Sequence, residues 1–585
     1  MSIKSIIKNE LVKDEYSVWV LKEHKDFGYS DGVETERYLE SVFKIATDLR
    51  SDSTELESYI KDWPSEYHLT TKRAQLFSGF DFDRSSSVLE VGGGCGAITR
   101  YLGENFSEVI SIEGSIHRAR LARLRTKDLP EVSILCAPFQ DIKFSKKFDM
   151  IFCIGVYEYS SSFVDGDDPY DTVLKYFSEM LNPGGVCIIA IENQFGLKYF
   201  NSSREDHTNL KYEGLEGYHV HGEEVKTFGR YELERNLRKH FENTQFYYPY
   251  PDYKLPDCII TEEFLKNKLS GELVSQMNSR DYYGKLPSSW DESLVTQELS
   301  RNEVLPFFSN SFLAFAYKNG ASAVKFEQLA IISSSNRRDK FKTRTRIYQD
   351  NRRNLVVSKK LRTGEKAIRE GQLTFVETSS LWNDFDSLNT VIYKRCKSKS
   401  LSVSEIFMPS IAWREYLDGE SKVKDNNEKY LPGKLLDCTW WNFYKNLDNV
   451  SIIDEEWLWG EDIKFNTVVI RSVYYFLCKF ENIDYLIELL NTRSFMNMII
   501  QISKSIGVKL DKEDFDDFIA FESNLKMIVY NTDTKDATIQ LKKQLSDGNG
   551  AYYAKIIFKF SKKMYVFLRN RLANLYRFIF PLKRN

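Results

Sequence analysis

Ser87–Gly96 reads SVLEVGGGCG. A short apolar run (Val88, Leu89, Val91) carries one acid, Glu90, and then breaks into glycines at 92, 93, 94 and 96 before a helical pattern that starts near Ala97. This is a strand, a tight turn and a helix start. Glycine suits such a turn because it accepts positive φ and lets the backbone approach a ligand without a Cβ in the way. The helix that follows offers unpaired N–H groups and the positive end of its dipole. The next apolar run, Val109–Ile112, ends in Glu113, where a second strand's carboxylate can accept hydrogen bonds from both hydroxyls of a ribose. Dinucleotide-binding folds use a similar turn, so the pattern fits any adenosine ligand.

Working outward, strand 87–91, helix 97–104, strand 109–112 and helix 115–126 alternate, and apolar strands at 132–136, 149–154 and 186–191 follow. Strands apolar on both faces and separated by helices predict an α/β fold, a parallel Rossmann-like sheet covered on both sides. Ligands in such folds sit at the carboxyl ends of the strands, where Gly92, Glu113 and the loop after Cys136 would meet. Upstream, 35–49 and 54–63 have helical spacing, and Pro64 is expected to stop the second segment.

The chain of 585 residues is long enough for several domains. Its net charge of −3 hides a basic end: no acid follows Asp547, while Lys and Arg recur to Arg584. The eight cysteines form no CxxC pair, so neither a zinc site nor a disulfide framework is indicated, and a reducing compartment is expected. The N-terminus lacks a secretion-signal pattern and no apolar run is long enough to span a bilayer, so a cytoplasmic protein is expected.

EVGGGCG, Glu113, FDMIFCIGVYEY (148–159) and LNPGG (181–185) resemble, in order, the motifs of class I S-adenosylmethionine-dependent methyltransferases over residues 67–320. That resemblance implies S-adenosylmethionine bound by the turn at Gly92, Gly94 and Gly96. Glu90 would orient the ligand's amino-acid portion, and Glu113 would hold the ribose. The 136–141 loop would flank adenine; Ala137 stands where an acid often contacts the adenine amine, and Asp141 comes later. IENQFGLKYFNSSREDHTNLKYEGLEGYH (191–219) and YYPYPDYKLP (247–256) resemble methyltransferases encoded beside bacterial surface-polysaccharide genes, which implies a saccharide or sugar-phosphate acceptor.

Arg204, Glu205, Asp206 and His207 follow the fifth strand, where an acceptor approaches the methyl group. With a hydroxyl acceptor, His207 or Asp206 would take the proton. With a phosphate acceptor, Arg204 or Lys198 would orient the anion. The bland reading is that Asp206 and His207 cap a helix or tie down the loop. His219 and His221 are read as surface or structural groups. The charged helical stretch at about 256–310 reads as an insertion before the last strand, 310–318.

A second domain is expected from about 324. Lys340, Lys342, Arg344 and Arg346 alternate with Phe341, Thr343, Thr345 and Ile347, the period of a strand with one wet face. VVSKKL (356–361) resembles the third strand of protein-kinase-like folds, which would make Lys359 the phosphate-binding lysine. EYLDGES (415–421) resembles their hinge, and LLDCTWWNFYKNLDNVSIIDEEW (435–457) their catalytic and metal loops. The resemblance implies Asp437 as base, Asn442 and Asp454 as magnesium ligands, and ATP with Mg2+ as a second cofactor. The chain departs from that pattern: no histidine lies beyond 240, no glycine-rich loop joins the first strands, and DEEW replaces DFG. A degenerate nucleotide-binding domain and an active kinase are both open.

The expected organisation is therefore a helical segment (1–66), a methyltransferase domain (67–320), a kinase-like α+β domain (324–500), a helical extension (501–550) and a basic amphipathic tail (551–585). The tail interleaves aromatic and aliphatic groups with Lys and Arg, a composition for lying on an anionic membrane or packing on another subunit or a glycosyltransferase. The whole order resembles bifunctional kinase/methyltransferases that cap O-antigen chains. It implies a glycan or lipid-linked saccharide acceptor and a peripheral position at the inner membrane. Nucleic acid is disfavoured because the basic segments carry no stacking platform.

Overall fold

The computed structural model describes residues 3–22, 30, 32–222, 224–277, 279–284, 290–319, 324–334, 337–398, 400–424, 428–446, 449–480, 483–530 and 532–547. The basic tail at 551–585 lies outside the described residues. The chain divides into two compact units, one of Met1–Thr363 with Ser379–Trp382 and one of Gly364–Thr378 with Asn383–Asn585.

The first unit is built on a mixed sheet. Its strands are β1 (Leu11–Lys13), β2 (Trp19–Leu21), β3 (Ser87–Val91), β4 (Glu108–Glu113), β5 (Val132–Cys136), β6 (Phe148–Ile154), β7 (Leu181–Glu192), β8 (Asn243–Tyr250), β9 (Cys258–Thr261), β10 (Ser311–Tyr317), β11 (Ala330–Ser333), β12 (Thr343–Gln349) and β13 (Leu355–Leu361). With an edge strand at Thr378–Leu381, the order is β1-β2-β5-β4-β3-β6-β7-β10-β8-β9-β11-β12-β13-edge. From β2 to β7 neighbours run parallel, and β10 slots antiparallel between β7 and β8. The order reverses on either side of β3, which places a crevice at the carboxyl ends of β3 and β4.

Side-chain alternation divides the interior into two cores, one on each face of the sheet. Leu89, Val91, Ile110 and Ile112 pack in one; Val88, Val109, Ile134 and Ile188 pack in the other. A third, smaller core joins the N-terminal helix Val33–Ile45, through Leu39 and Phe43, to Leu121 of helix Ile116–Arg125.

Three expectations need correction. Pro64 does not stop a helix but opens one: Trp63–Leu69 begins with Asp62 as cap and proline in the first turn, where its missing N–H is no loss. The strands expected to start a second domain at about 324 instead extend the first sheet, with Ile331 opposite Ile259 and Thr345 opposite Lys359. Ala330 and Ile347 join the same core as Leu89, so that stretch buries its apolar face on the first unit. The expected wet face holds for Arg344 and Arg346, which are exposed on β12, whereas Lys342 is buried.

In the second unit, Ala367–Glu370, Leu373–Val376 and Trp457–Trp459 form a small antiparallel sheet. Helices Phe465–Lys479, Phe495–Ser505 and Lys512–Tyr530 dominate the remainder. Trp413, Trp440 and Phe476 are fully buried among these elements. Among the described residues no helix is long and apolar enough to cross a membrane.

Candidate active site

The crevice at the ends of β3 and β4 opens into a cavity of about 860 Å3 lined by Glu90, Gly92–Gly94, Glu113, Ala137–Gln140, Glu158, Asp206, His207, Tyr253 and Lys254, among others. Two glycines of the turn are obligatory. At Gly92 (φ +80°) a Cβ would lie 2.2 Å from Val156 Cγ2, and at Gly96 (φ +86°) it would lie 2.7 Å from Ala122 Cα. Gly96 thus lets helix Ala97–Asn105 pass close to helix Ile116–Arg125 while pointing its N-terminal N–H groups at the crevice.

Two carboxylates frame this end. Glu113 accepts the backbone N–H of Gly94 at 2.7 Å and of Ser115 at 3.0 Å, so the second strand's acid is already clamped to the turn. Glu90 Oε2 accepts the hydroxyls of Thr99 and Ser111, each at 2.6 Å. Burial pushes the Glu90 carboxyl up to about 7, against the pull of those two hydroxyls. Ala137, Pro138, Phe139 and Gln140 line the cavity as the adenine-side loop. Asp141 does not: it is exposed, and its carbonyl accepts the side chain of Asn9.

At the opposite end stands a dense ionic cluster. His207 Nδ1 lies 2.8 Å from Glu205 Oε1, and its Nε2 lies 3.5 Å from Glu192 Oε2 and 3.6 Å from Glu158 Oε1. Burial opposes a charge on the imidazole, yet Glu192, Tyr159 and Glu205 raise it well above its ordinary range. Glu205 is held down to about 2, against its burial, by His207 and by the backbone N–H groups of Thr208 and His207. Glu158 shifts upward through burial, and neither of its oxygens has a partner at hydrogen-bond distance. Lys254 sits 2.5 Å from Glu192 Oε1 and 2.9 Å from Asp206 Oδ2; Lys198 reaches the same Asp206 oxygen at 2.7 Å.

Of the acceptor-side residues expected from sequence, His207 and Asp206 line the cavity. Asp206 is neutralised by two lysines, so it ties down the loop instead of serving as a base. Arg204 does not line the cavity: its side chain donates to Asn209 Oδ1 at 2.9 Å, and its backbone forms an isolated β-bridge with that of Lys211. Lys198 is consumed by Asp206, which leaves it unsuited to orienting a phosphate. His221 lines the cavity near Glu213, and His219 is exposed. Sequence reasoning missed Glu158, Glu192, Tyr253 and Lys254. The first two lie inside stretches already recognised as motifs, 148–159 and 191–219, but their convergence on one imidazole is tertiary.

In the second unit, Asp437 closes a turn at Gly433–Asp437. Its Oδ1 accepts from Arg471 at 2.5 Å, and Asn442 donates to its carbonyl at 3.0 Å. Arg471 also pairs with the buried Glu522 at 2.9 Å. Asp454 follows the strand Asn449–Ile452 with φ +58°. EYLDGES lies mostly in helix Ser410–Glu420, not in an extended hinge, because Trp413 and Leu417 repeat at helical spacing and are both buried. Lys359 belongs to β13 of the first unit. The expected ATP and magnesium groups are thus split between the two units.

Residues 89–189 match the model of a methyltransferase domain family. No curated protein sequence is similar to the chain. Similar solved structures include the N-methyltransferase NodS from Bradyrhizobium japonicum with S-adenosyl-L-homocysteine, at 22% identity over 27% of this chain and 74% of that one (TM-score 0.19). A phosphoethanolamine N-methyltransferase from Haemonchus contortus is 15% identical over 50% and 62% of the two chains (TM-score 0.26). The YcgJ protein from Bacillus subtilis is 12% identical over 43% and 98% (TM-score 0.24). The first unit carries a methyltransferase domain of Rossmann-like fold. The chain carries an S-adenosylmethionine-dependent methyltransferase domain over residues 89–189, and Glu90, Gly92–Gly94 and Glu113 line the cavity at the ends of its strands.

Proposed function

We propose that this enzyme methylates a hydroxyl oxygen of a bacterial cell-surface saccharide of the O-antigen type. The observation that carries the reading is Glu158, which lines the acceptor end of the cavity beside His207 with neither oxygen taken up in a hydrogen bond and with a proton affinity raised by burial. In the transfer, the acceptor oxygen forms a bond to the methyl carbon as the sulfur–methyl bond breaks. The hydroxyl proton passes to the Glu158 carboxylate, and S-adenosylhomocysteine leaves. The enzyme supplies mainly alignment and a positioned base.

The charge at this end favours a neutral polyol over a phosphate. Glu158, Glu192, Glu205 and Asp206 surround His207 and two lysines that are already paired, a setting that repels a phosphate dianion. Arg471 on Asp437 supports a plain sugar methyltransferase whose second unit does not transfer phosphate. In this reading the protein acts at the cytoplasmic face of the inner membrane on a lipid-linked glycan.

The test is incubation of the full chain with methyl-labelled S-adenosylmethionine and the lipid-linked glycan fraction of the producing bacterium, with and without ATP, followed by mass spectrometry. A methyl ether formed without ATP is expected. A methyl phosphate that requires ATP would establish the capping reaction instead, and label on an amine, or no label, would refute the proposal.

A further inference from the structure

The cluster around His207 has a second chemical use. Glu158, Glu192 and His207 each offer one ligand atom, and these atoms lie within 4.8 Å of one another. The two nitrogen–oxygen separations, 3.5 and 3.6 Å, are too long for hydrogen bonds. They are the spacing of ligands that share one metal ion at about 2.0–2.2 Å from each. Glu205 takes the other imidazole nitrogen at 2.8 Å, an arrangement that holds the ring with Nε2 aimed at Glu158 and Glu192. A carboxylate behind a ligating histidine is the usual support of a metal site.

Charge points the same way. The four carboxylates Glu158, Glu192, Glu205 and Asp206 crowd around one imidazole and two lysines, Lys198 and Lys254, a setting that attracts a further cation. Glu158 and Glu192 are each about 1% exposed, and Lys254 occupies Oε1 of Glu192 but leaves Oε2 facing His207. One nitrogen and two carboxylate oxygens suit a first-row transition ion better than the all-oxygen shells of Mg2+ or Ca2+.

The geometry points to a site for a divalent first-row transition cation held by His207 Nε2, Glu158 Oε1 and Glu192 Oε2 at the acceptor end of the cavity, with a coordination position open to an acceptor oxygen. The binding site stands on these three residues alone. The role of the open position rests on the hydroxyl-acceptor reading above. A cation there would draw the acceptor hydroxyl toward the methyl group and ease loss of its proton to the remaining oxygen of Glu158.

The experiment is Mn2+ titration of the chelator-stripped full chain, followed by electron paramagnetic resonance, with no methyl donor or glycan present. Wild type and the Glu158→Gln/Glu192→Gln double variant are compared, so that any ion bound elsewhere cancels. One more Mn2+ per chain in wild type is expected, and the Glu205→Gln variant is expected to bind it about 10- to 100-fold more weakly. S-adenosylhomocysteine binding confirms that each variant is folded. Equal Mn2+ binding by wild type and the double variant would overturn the site. If Mn2+ binds as expected but no glycan is methylated, the acceptor reading fails and the site stands. If glycan is methylated by stripped protein that binds no additional Mn2+, the site fails and the acceptor reading stands.

Discussion

His207 and Glu205 form a locked pair: the ring nitrogen Nδ1 sits 2.8 Å from one carboxylate oxygen, while the other oxygen accepts the backbone N–H of His207 itself at 2.7 Å. The imidazole therefore cannot turn without breaking contacts on both sides of Glu205. Replacing Glu205 by Gln keeps the shape and removes the charge. Methyl transfer is expected to slow by about 10- to 100-fold, with the KM for S-adenosylmethionine within about twofold of wild type because Glu205 does not line the cavity. Steady-state kinetics check this; a changed KM with unchanged kcat would contradict it.

Glu113 receives two backbone N–H groups, one of them from Gly94 of the turn. A hydrogen bond to a charged group contributes about 1.5–3 kcal/mol, so Glu113→Gln is expected to weaken S-adenosylhomocysteine binding about 10- to 100-fold in titration calorimetry. Asp141→Asn, a residue turned away from the cavity, is expected to bind as wild type does.

Gly96→Ala adds a Cβ that would lie 2.7 Å from Ala122 Cα in a left-handed conformation. The conformation alone costs about 1–2 kcal/mol, and the clash is with backbone that cannot step aside. A lower thermal midpoint and loss of S-adenosylhomocysteine binding are expected together. Gly419→Ala, where a Cβ meets nothing, is expected to bind the ligand normally.

The pH dependence of donor binding follows from Glu90. Its folded carboxyl titrates at about 7, above the ordinary 4.5. Between those values the folded protein holds a proton that the unfolded chain has released, so this group's contribution to stability falls as pH rises from about 4.5 to about 7. The ammonium of the donor's amino-acid portion pairs best with the ionised form. Affinity for S-adenosylhomocysteine is therefore expected to rise between pH 5.5 and 7.5 in wild type and to stay flat over that range in Glu90→Gln. A flat wild-type profile would contradict the assigned role.

Arg471 bridges Asp437 and the buried Glu522 in the second unit. Arg471→Met strands Glu522 without its cation, and breaking a buried pair in this way costs about 3–5 kcal/mol. The unfolding transition of the second unit is expected to move to lower denaturant, while S-adenosylhomocysteine affinity is unchanged. Arg471→Met/Glu522→Leu is expected to recover much of the loss.

The convergence of the glycine turn, Glu90 and Glu113 on one crevice was legible in the sequence because its signal is local. The turn, Glu90 and Glu113 lie at the ends of two adjacent strands whose apolar runs announce them. The acceptor end was legible only in part. His207 stood out as a rare residue after the fifth strand, but Glu158 and Glu192 come from other segments, and no spacing rule joins residues 158, 192 and 207. Arg204 and Asp141 misled for the same reason: proximity in sequence to a site says nothing about which way a side chain turns. Two errors had local causes. Proline breaks a helix interior but opens a first turn, so Pro64 reads either way until Asp62 is seen to cap it. The period-2 strands at 330–361 were recognised as strands, but periodicity does not say which sheet they join.

The central claim is that methyl transfer takes place between the glycine turn and Glu158. Single-turnover transfer from labelled S-adenosylmethionine to the lipid-linked glycan, measured for wild type and Glu158→Gln alongside S-adenosylhomocysteine affinity, tests it most directly. The account predicts unchanged affinity and transfer slowed by about a hundredfold or more in the variant. Transfer at the wild-type rate by Glu158→Gln would contradict it.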